Sequence, residues 1–298
     1  MQISQIAALL EPFLAPNGSE HETGRSASPD FREEKDGIAP QDRARIRGPE
    51  RALLRRDGVP GGADLGVELA PAQLEQISTY IDLLLRWNAR VNLTAIRNPE
   101  EIVTRHFGES LFLGRHLFPG DLPHLKTQEN PAGSPLVAPS SNRIRVLDIG
   151  SGAGFPALPL KIWAPAVHLT LIESNHKKAA FLREVIRALT LMNVDVIADR
   201  AETILQRPSY HSGPSEESAL LSPFDVVTFR AVENFDRTLR LAVRFLATNG
   251  RLAVLVGTAQ LSKLGGLDQV QWRSIIVPES HSRTLALGRI TNRRGPQS

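Results

Sequence analysis

Cysteine is absent from the 298 residues of this chain. Its absence excludes disulfides, thiolate zinc sites and every mechanism that needs a cysteine nucleophile. No apolar run is long enough to span a membrane, and the N-terminus has neither a basic start nor a small-residue cleavage site. Neither sign of charge is in large excess, because the chain has 35 basic and 32 acidic residues. The net charge of +3 favours polyanionic partners only mildly. We therefore expect a cytoplasmic globular protein without a membrane partner.

Large apolar residues are sparse in three stretches, which are rich instead in small, proline and charged residues. Such stretches do not repay the entropy of ordering, so we expect insertions or linkers there. The longest carries an arginine-rich run from Arg43 to Arg56, which either reaches a phosphate backbone or forms a solvated tail. The predicted organisation is an N-terminal helix (1–14), a disordered insertion (15–66), a helical N-terminal subdomain (67–118), a linker (119–143) and an α/β domain (144–298) with a flexible insertion at 207–222.

The helical subdomain is predicted from apolar residues at helical spacing. They indicate one helix from Pro71 to about Trp87 and a second from about Pro99 to Leu117. The turn between them contains Asn88 and Asn92, whose amides either cap the backbone or hydrogen-bond a base edge or a cofactor.

One face of the second helix carries His106 and, three residues later, Glu109. A single histidine in a helix is more often a packed or capping side chain than a ligand. Because no second histidine has the spacing of metal ligands, we expect no metal site.

From residue 144 onward the pattern changes to short apolar strands that alternate with helices. Continuous apolar strands in this arrangement indicate a parallel sheet covered on both faces. Ligands of such sheets bind beyond the carboxyl ends of the strands. The expected strands are 144–149, 167–172, 194–198, 224–229, 251–256 and 284–290, and the expected helices are 158–163, 177–191 and 235–246.

The segment Val146–Pro156 is typical of a strand, a tight turn and a helix start. Gly150, Gly152 and Gly154 occupy alternate positions, where glycine allows positive φ and leaves room for a ligand beside the backbone. Phe155 stands where the dinucleotide fingerprint Gly-x-Gly-x-x-Gly has its third glycine. The turn therefore favours S-adenosylmethionine over NAD, and an NAD-binding oxidoreductase is the alternative.

Polar side chains follow the other strands of the predicted sheet. Glu173 ends the second strand, where a carboxylate can accept two hydrogen bonds from ribose hydroxyls. Ala201 and Glu202 come shortly after the third strand, near the expected adenine. Arg230 follows the fourth strand and offers a planar fork to a carboxylate, a phosphate or a base edge. Each residue alone also fits a helix cap or a surface ion pair, but their shared position at strand ends favours a ligand site.

The chain also carries a series of separated motifs: Trp87-Asn88 with Asn92-Leu93-Thr94, Arg105-His106 with Glu109-Ser110, Asp148 to Pro156, Lys177 with Phe181-Leu182-Arg183, and Phe229-Arg230-Ala231. In this order they resemble the glucose-inhibited division protein B family, methyltransferases of bacterial small-subunit ribosomal RNA. The resemblance implies a Rossmann-like class I fold that depends on S-adenosylmethionine, with a mostly parallel seven-stranded sheet and a small helical N-terminal part. It also implies guanine-N7 methylation of 16S ribosomal RNA in the small subunit and release of S-adenosylhomocysteine. The sequence does not indicate the oligomeric state, and a monomer is the form that we expect.

The resemblance further implies roles for individual residues. The expected cofactor contacts are Gly150, Gly152, Gly154, Phe155, Glu173, Ala201, Glu202 and Arg230. Arg230 and Arg283 are the expected catalytic residues, and Arg283 precedes the last strand on the substrate side. The expected RNA contacts are Asn88, Asn92, Arg105 and His106.

The chemistry of the residues agrees with this reaction. Guanine N7 has a free lone pair at neutral pH, so it can attack a sulfonium methyl group without a general base, and catalysis reduces to positioning and electrostatics. The Asp/Asn-Pro-Pro-aromatic tetrapeptide associated with amino methylation is absent. Phe155, Trp87 or Phe229 could offer a stacking surface to an unstacked base.

Two positions depart from the family pattern, which usually has Asp at Glu109 and Lys at Val256. Together with the long insertions, these departures motivate a second alternative to the enzyme, a non-catalytic or weakly active RNA-binding protein that assists ribosome assembly.

Overall fold

The computed structural model describes residues 1–15, 68–118, 144–207, 223–280 and 282–290. Within these ranges, Met1–Leu14 and the residues after Val67 belong to one compact unit. The predicted linker at 119–143, nearly all of the predicted insertions at 15–66 and 207–222, and the arginine-rich run lie outside the described residues. Their predicted disorder stays a prediction.

The sheet has seven strands, as predicted. Five parallel strands form its first part in the order β3-β2-β1-β4-β5, and β7 pairs antiparallel with both β5 and β6 at the other end. Because β7 runs against β5, its first residue lies at the same edge as the carboxyl ends of the parallel strands. The strands are β1 (Arg145–Ile149), β2 (His168–Ile172), β3 (Val194–Ile197), β4 (Phe224–Arg230), β5 (Leu246–Gly257), β6 (Val270–Ile276) and β7 (Arg283–Ile290).

Helices cover both faces of the sheet, and two separate apolar clusters lie beneath them. This is the arrangement that continuous apolar strands predict. The α-helices are α1 (Ile3–Leu14), α2 (Pro71–Val91), α3 (Pro99–Ile102), α4 (Glu109–Leu117), α5 (Ala157–Trp163), α6 (His176–Ala188), α7 (Ala201–Gln206), α8 (Phe235–Phe245) and α9 (Thr258–Leu261). Among the described residues, none of these helices combines the length and apolarity that a bilayer span requires.

The helical N-terminal part shares its core with one face of the sheet. Ile6, Leu10 and Phe13 of α1 are buried in the same cluster as Val146 of β1. Phe13 approaches the backbone so closely that a Cβ at Gly108 would lie 2.5 Å from its ring. A glycine is therefore required where α1 crosses the segment that precedes α4.

The predicted helix from Pro99 to Leu117 is continuous but not α-helical throughout. Its middle, Val103–Gly108, is a π-helix, which joins α3 to α4. A π-helical turn holds more residues than an α-helical turn, so it rotates the side chains that follow. Apolar spacing alone does not reveal such a local widening.

The other boundaries differ from prediction by a few residues. Helix α6 ends at Ala188 rather than Leu191, and β5 begins at Leu246, five residues before the predicted start at Arg251. Strand β6 was not expected from the residue pattern, because only Val270 and a few other residues in it are shielded from solvent. Strand β6 is an edge strand of the sheet, and its weak alternation of apolar and polar residues does not indicate a strand.

Candidate cofactor and substrate site

The glycine turn between β1 and α5 adopts the predicted backbone conformation. Gly150, Gly152 and Gly154 have φ of +69°, +55° and +85°, a region that side chains disfavour. A Cβ on Gly154 would collide with the hydroxyl of Tyr80, whereas one on Gly152 would meet only the Gly150 carbonyl oxygen at 3.8 Å. Gly154 is therefore needed for packing, and Gly152 leaves open space beside the backbone.

Glu173 follows β2, as predicted, and it lies against this turn. Its Oε2 accepts a hydrogen bond from the Gly152 N–H at 2.8 Å, and its Oε1 accepts one from the Asn175 N–H at 2.8 Å. A carboxylate has about four acceptor positions, so ribose hydroxyls can still donate to it. The two backbone bonds fix the orientation of the side chain in advance.

Asp148 is a second carboxyl group beneath the turn, and the sequence did not single it out as a contact. It is fully buried, and neither of its carboxylate oxygens is hydrogen-bonded to a described residue. The pKa of Asp148 is raised to about 7: burial is the main cause, the nearby Ser151 hydroxyl opposes the shift in part, and the charge of Glu173 adds to it. Its position two residues before Gly150 is the sequence signal that could have identified it.

Phe155 has both faces of its ring covered. Tyr80 stacks on one face with a centroid distance of 5.3 Å and an interplanar angle of 5°, and His106 stacks at 4.6 Å and 19°. The expectation that Phe155 offers a stacking surface to a base is therefore wrong in this conformation. Phe229 is fully buried, so it offers no surface either, and Trp87 packs against Phe181 at 5.7 Å.

Three of the predicted site residues, Arg105, His106 and Arg230, lie together at the end of β4, where Glu109 joins them. The Arg230 Nη2 lies 3.1 Å from His106 Nδ1 and 3.5 Å from Glu109 Oε2. The Nε of Arg105 lies 3.4 Å from the other oxygen of Glu109. One buried carboxylate therefore lies between a buried arginine and a partly exposed one. Arg283 adds positive charge here, and it lowers the pKa of both His106 and Arg230.

Burial controls the charge states in this cluster. The pKa of His106 is lowered to about 3, mainly by burial and in addition by the positive charges of Arg230, Arg105 and Arg283. The imidazole is therefore neutral near pH 7. Burial also lowers the pKa of Arg230 to about 10, although Glu109 opposes the shift, so the guanidinium stays charged.

The remaining predicted residues lie elsewhere. Asn88 uses its side chain within the turn after α2: its Oδ1 accepts from the N–H groups of Leu93 and Thr94, and its Nδ2 donates to the Thr94 oxygen. This matches the capping alternative for Asn88. Asn92 is exposed and ends α2 with a φ of +53°. Their predicted contacts with RNA stay predictions.

Helix α7 begins at the predicted adenine side. Ala201 is buried at its first turn, and Glu202 forms an ion pair with Arg237 at 2.9 Å. Val256, where the family usually has lysine, is fully buried in the apolar cluster on the other face of the sheet.

A cavity of about 310 Å³ opens next to Arg105 and Glu109, between α1 and the segment before β7. Within the described ranges, no group of three His, Asp or Glu side chains is placed to hold a metal ion.

The fold defines a Rossmann-like α/β protein whose glycine turn lies at the carboxyl edge of its sheet, the edge at which sheets of this class bind their ligands. The family model for rRNA small subunit methyltransferase G matches residues 73–121 and 132–280. Proteins named ribosomal RNA small subunit methyltransferase G are 36% identical in Roseiflexus castenholzii, over 74% of this chain and 85% of theirs, and 30% identical in Bacillus subtilis, over 78% and 89%. The chain therefore belongs to the rRNA small subunit methyltransferase G family.

Among solved structures, the chain is similar to a SAM-dependent methyltransferase from Aquifex aeolicus, with a TM-score of 0.38 and 16% identity. The match covers 50% of this chain and 82% of that one.

Proposed function

We propose that this protein transfers a methyl group from S-adenosylmethionine to N7 of a guanine in 16S ribosomal RNA, within the small ribosomal subunit in the cytoplasm. The observation that carries the proposal is the pairing of an open glycine turn with an oriented carboxylate. The Gly152 N–H donates a hydrogen bond to Glu173 at 2.8 Å, and no side chain of the described residues lies within 4 Å of a Cβ placed on Gly152. Family membership supplies the reaction class.

The residues around the turn fit the methyl donor. Glu173 would accept hydrogen bonds from the ribose hydroxyls, and the open backbone at Gly150 and Gly152 would admit the methionine part of the cofactor. Ala201 and Glu202 would lie at the adenine, and Arg230 would contact the cofactor at the next strand end. When bound, the cofactor supplies an electrophilic methyl group on its sulfonium.

The substrate side needs no proton acceptor. Guanine N7 attacks with its own lone pair, so the protein has to unstack the base, hold it and exclude water. Arg105 and Arg283 would contact RNA phosphates, since guanidinium groups bind phosphate in a planar, bidentate manner. The lowered pKa of His106, about 3, makes its imidazole a poor proton acceptor, which is consistent with a reaction that requires no general base.

The test is transfer of a tritiated methyl group to small subunits from a strain that lacks this modification. The modified base is then mapped by reduction and aniline cleavage, which cut the chain at N7-methylguanosine. We expect one labelled guanine in 16S RNA with the unaltered protein. No incorporation, with intact binding of S-adenosylhomocysteine, would instead favour the non-catalytic RNA-binding alternative.

Arg230→Ala is the first variant to compare, because Arg230 lies at the junction of the proposed cofactor and RNA sides. We expect methyl transfer to fall by about 100-fold or more, as is common when a group that holds the reacting partners is removed. Arg240→Ala, a substitution on the exposed side of α8, serves as the matched control. Near-normal turnover by Arg230→Ala would remove this residue from the site.

A further inference from the structure

His106 occupies a position that the proposed chemistry does not explain. It is 8% exposed, so it is poorly placed to contact a large RNA directly, and it joins two features of the site. Its ring covers one face of Phe155, and its Nδ1 lies 3.1 Å from Arg230 Nη2. The histidine therefore connects the residue after the glycine turn with the arginine at the end of β4.

We propose that His106 is a positioning residue for Arg230: its Nδ1 accepts a hydrogen bond from the guanidinium and so fixes the direction in which Arg230 faces the bound cofactor. The proposal rests on the function proposed above, and it differs from the expectation that His106 contacts RNA. His106 acts through Arg230 and touches neither the cofactor nor the target base.

The direction of the hydrogen bonds supports this role. A guanidinium carries only donors, so the contact with Arg230 requires Nδ1 to hold a lone pair. The proton of the neutral ring is then on Nε2, which donates to Thr94 Oγ1 at 2.8 Å. Thr94 Oγ1 also accepts the N–H of Ile96 at 3.1 Å, so the threonine is held by its own turn. The tautomer of His106 is thus fixed from the side opposite Arg230.

The surrounding charges support it as well. Arg105, Arg230 and Arg283 act on the ring with positive charge, and Glu109 is the carboxylate that offsets them in the pairs with Arg105 and Arg230. A protonated ring would have to donate from both nitrogens, and it would repel Arg230. Only the neutral ring can both accept from Arg230 and donate to Thr94.

Two substitutions at His106 separate its ring from its acceptor. His106→Phe keeps a ring against Phe155 but has no acceptor, whereas His106→Asn places an amide oxygen near the former Nδ1 but has no ring. The readouts are the Kd for S-adenosylhomocysteine by calorimetry, the KM for small subunits, and the Tm. We expect His106→Phe to weaken S-adenosylhomocysteine binding by about 10-fold or more, as for loss of a hydrogen bond to a charged group, and His106→Asn to restore much of it.

A double-mutant cycle with Arg230 tests whether the histidine acts through the arginine. On an Arg230→Ala background, we expect His106→Phe to cause no further loss of S-adenosylhomocysteine binding. Thr94→Val, which removes the acceptor for Nε2–H, should weaken binding in the same direction, and Thr94→Ser should not.

Three results would overturn the proposal. A rise in the KM for subunits with an unchanged Kd for S-adenosylhomocysteine would make His106 an RNA contact. A lower Tm with both binding constants unchanged would make it a structural residue only. Additive losses in the cycle would show that His106 acts independently of Arg230. If the unaltered protein fails to bind S-adenosylhomocysteine at all, the proposed function fails instead, so the two failures are distinguishable.

Discussion

Single residues in this site derive their properties from burial more than from their neighbours in sequence. Asp148 and His106 are both buried, and burial shifts their pKa values in opposite directions, because it disfavours the charged form of each. Glu109 is also buried, but it keeps two arginines within ion-pair distance. The same physical cause thus gives a carboxyl group that readily takes up a proton and an imidazole that resists one.

Asp148 makes stability depend on pH. Its pKa is about 7 in the folded protein and near 3.8 when unfolded, so the folded state binds more protons between these values. Its contribution is complete below about pH 4 and is lost as the pH rises through 7. Asp148→Asn stays neutral, so we expect its Tm relative to the unaltered protein to rise steadily from pH 4 to pH 8. The check is thermal unfolding across this range, and a constant difference would contradict the raised pKa.

Glu109 balances the charge of the buried arginine. Glu109→Gln removes the only negative charge that the described structure places against Arg230, so a buried guanidinium is left uncompensated. We expect a loss of about 3 kcal/mol in the free energy of unfolding, measured with urea. Arg105→Ala is the control, because Arg105 is 39% exposed and its removal should cost about 1 kcal/mol or less. Equal losses of unfolding free energy for Glu109→Gln and Arg105→Ala would show that the buried charge of Arg230 does not require Glu109 for its compensation.

At the scale of secondary structure elements, two short segments shape the site. The turn between β1 and α5 provides the open backbone, and the π-helix Val103–Gly108 carries Arg105 and His106 to the end of β4. π-Helical turns often occur at functional sites, because they change which way the side chains point without ending the helix. The site therefore depends on irregular segments that regular elements hold in place.

The glycines of the turn should respond differently to the same substitution. Gly154→Ala would drive a Cβ into Tyr80 and Leu158 at a φ of +85°, so we expect a loss of about 2 kcal/mol or more in unfolding free energy. Gly152→Ala meets open space at a φ of +55°, so its cost should be about 1 kcal/mol. Its methyl group would instead enter the proposed cofactor space and weaken S-adenosylhomocysteine binding. Calorimetry measures the binding of S-adenosylhomocysteine to both variants, and urea unfolding measures their stability. If Gly154→Ala weakened binding more than Gly152→Ala, the cofactor would lie elsewhere.

At the scale of the whole molecule, the helical N-terminal part and the sheet share a continuous apolar cluster. The boundary predicted between a helical subdomain and an α/β domain stays a prediction, but a shared core has a measurable consequence. Elements that bury the same side chains unfold together.

Phe13→Ala tests this cooperativity. Phe13 is 2% exposed and packs over Gly108, so its truncation should cost about 3 kcal/mol. We expect far-UV circular dichroism and tryptophan fluorescence to follow one transition, which shifts by the same amount for both probes. Two separate transitions would show that α1 and its partners unfold independently of the sheet.

Much of the fold follows from local patterns, because the apolar strands, the glycines and the acidic strand ends are each encoded within a few residues. The glycine turn at Gly150–Gly154 and the position of Glu173 at the end of the second strand were predicted in this way, whereas the hydrogen bond between Gly152 and Glu173 was not. The contact between His106 and Arg230 was not, since it joins positions 124 residues apart and depends on the π-helix. The covered faces of Phe155 were also missed, because its stacking partners Tyr80 and His106 come from two other elements and leave no mark in the spacing of one segment.

The position and direction of β7 determine when the site is completed as the chain is synthesised. The glycine turn is synthesised well before Arg283, and β7 has to insert between β5 and β6 to bring that arginine to the ligand edge. A growing polypeptide can therefore form the turn while the arginine cluster is still incomplete. Any activity that needs Arg283 therefore begins only after the C-terminal hairpin of β6 and β7 has formed.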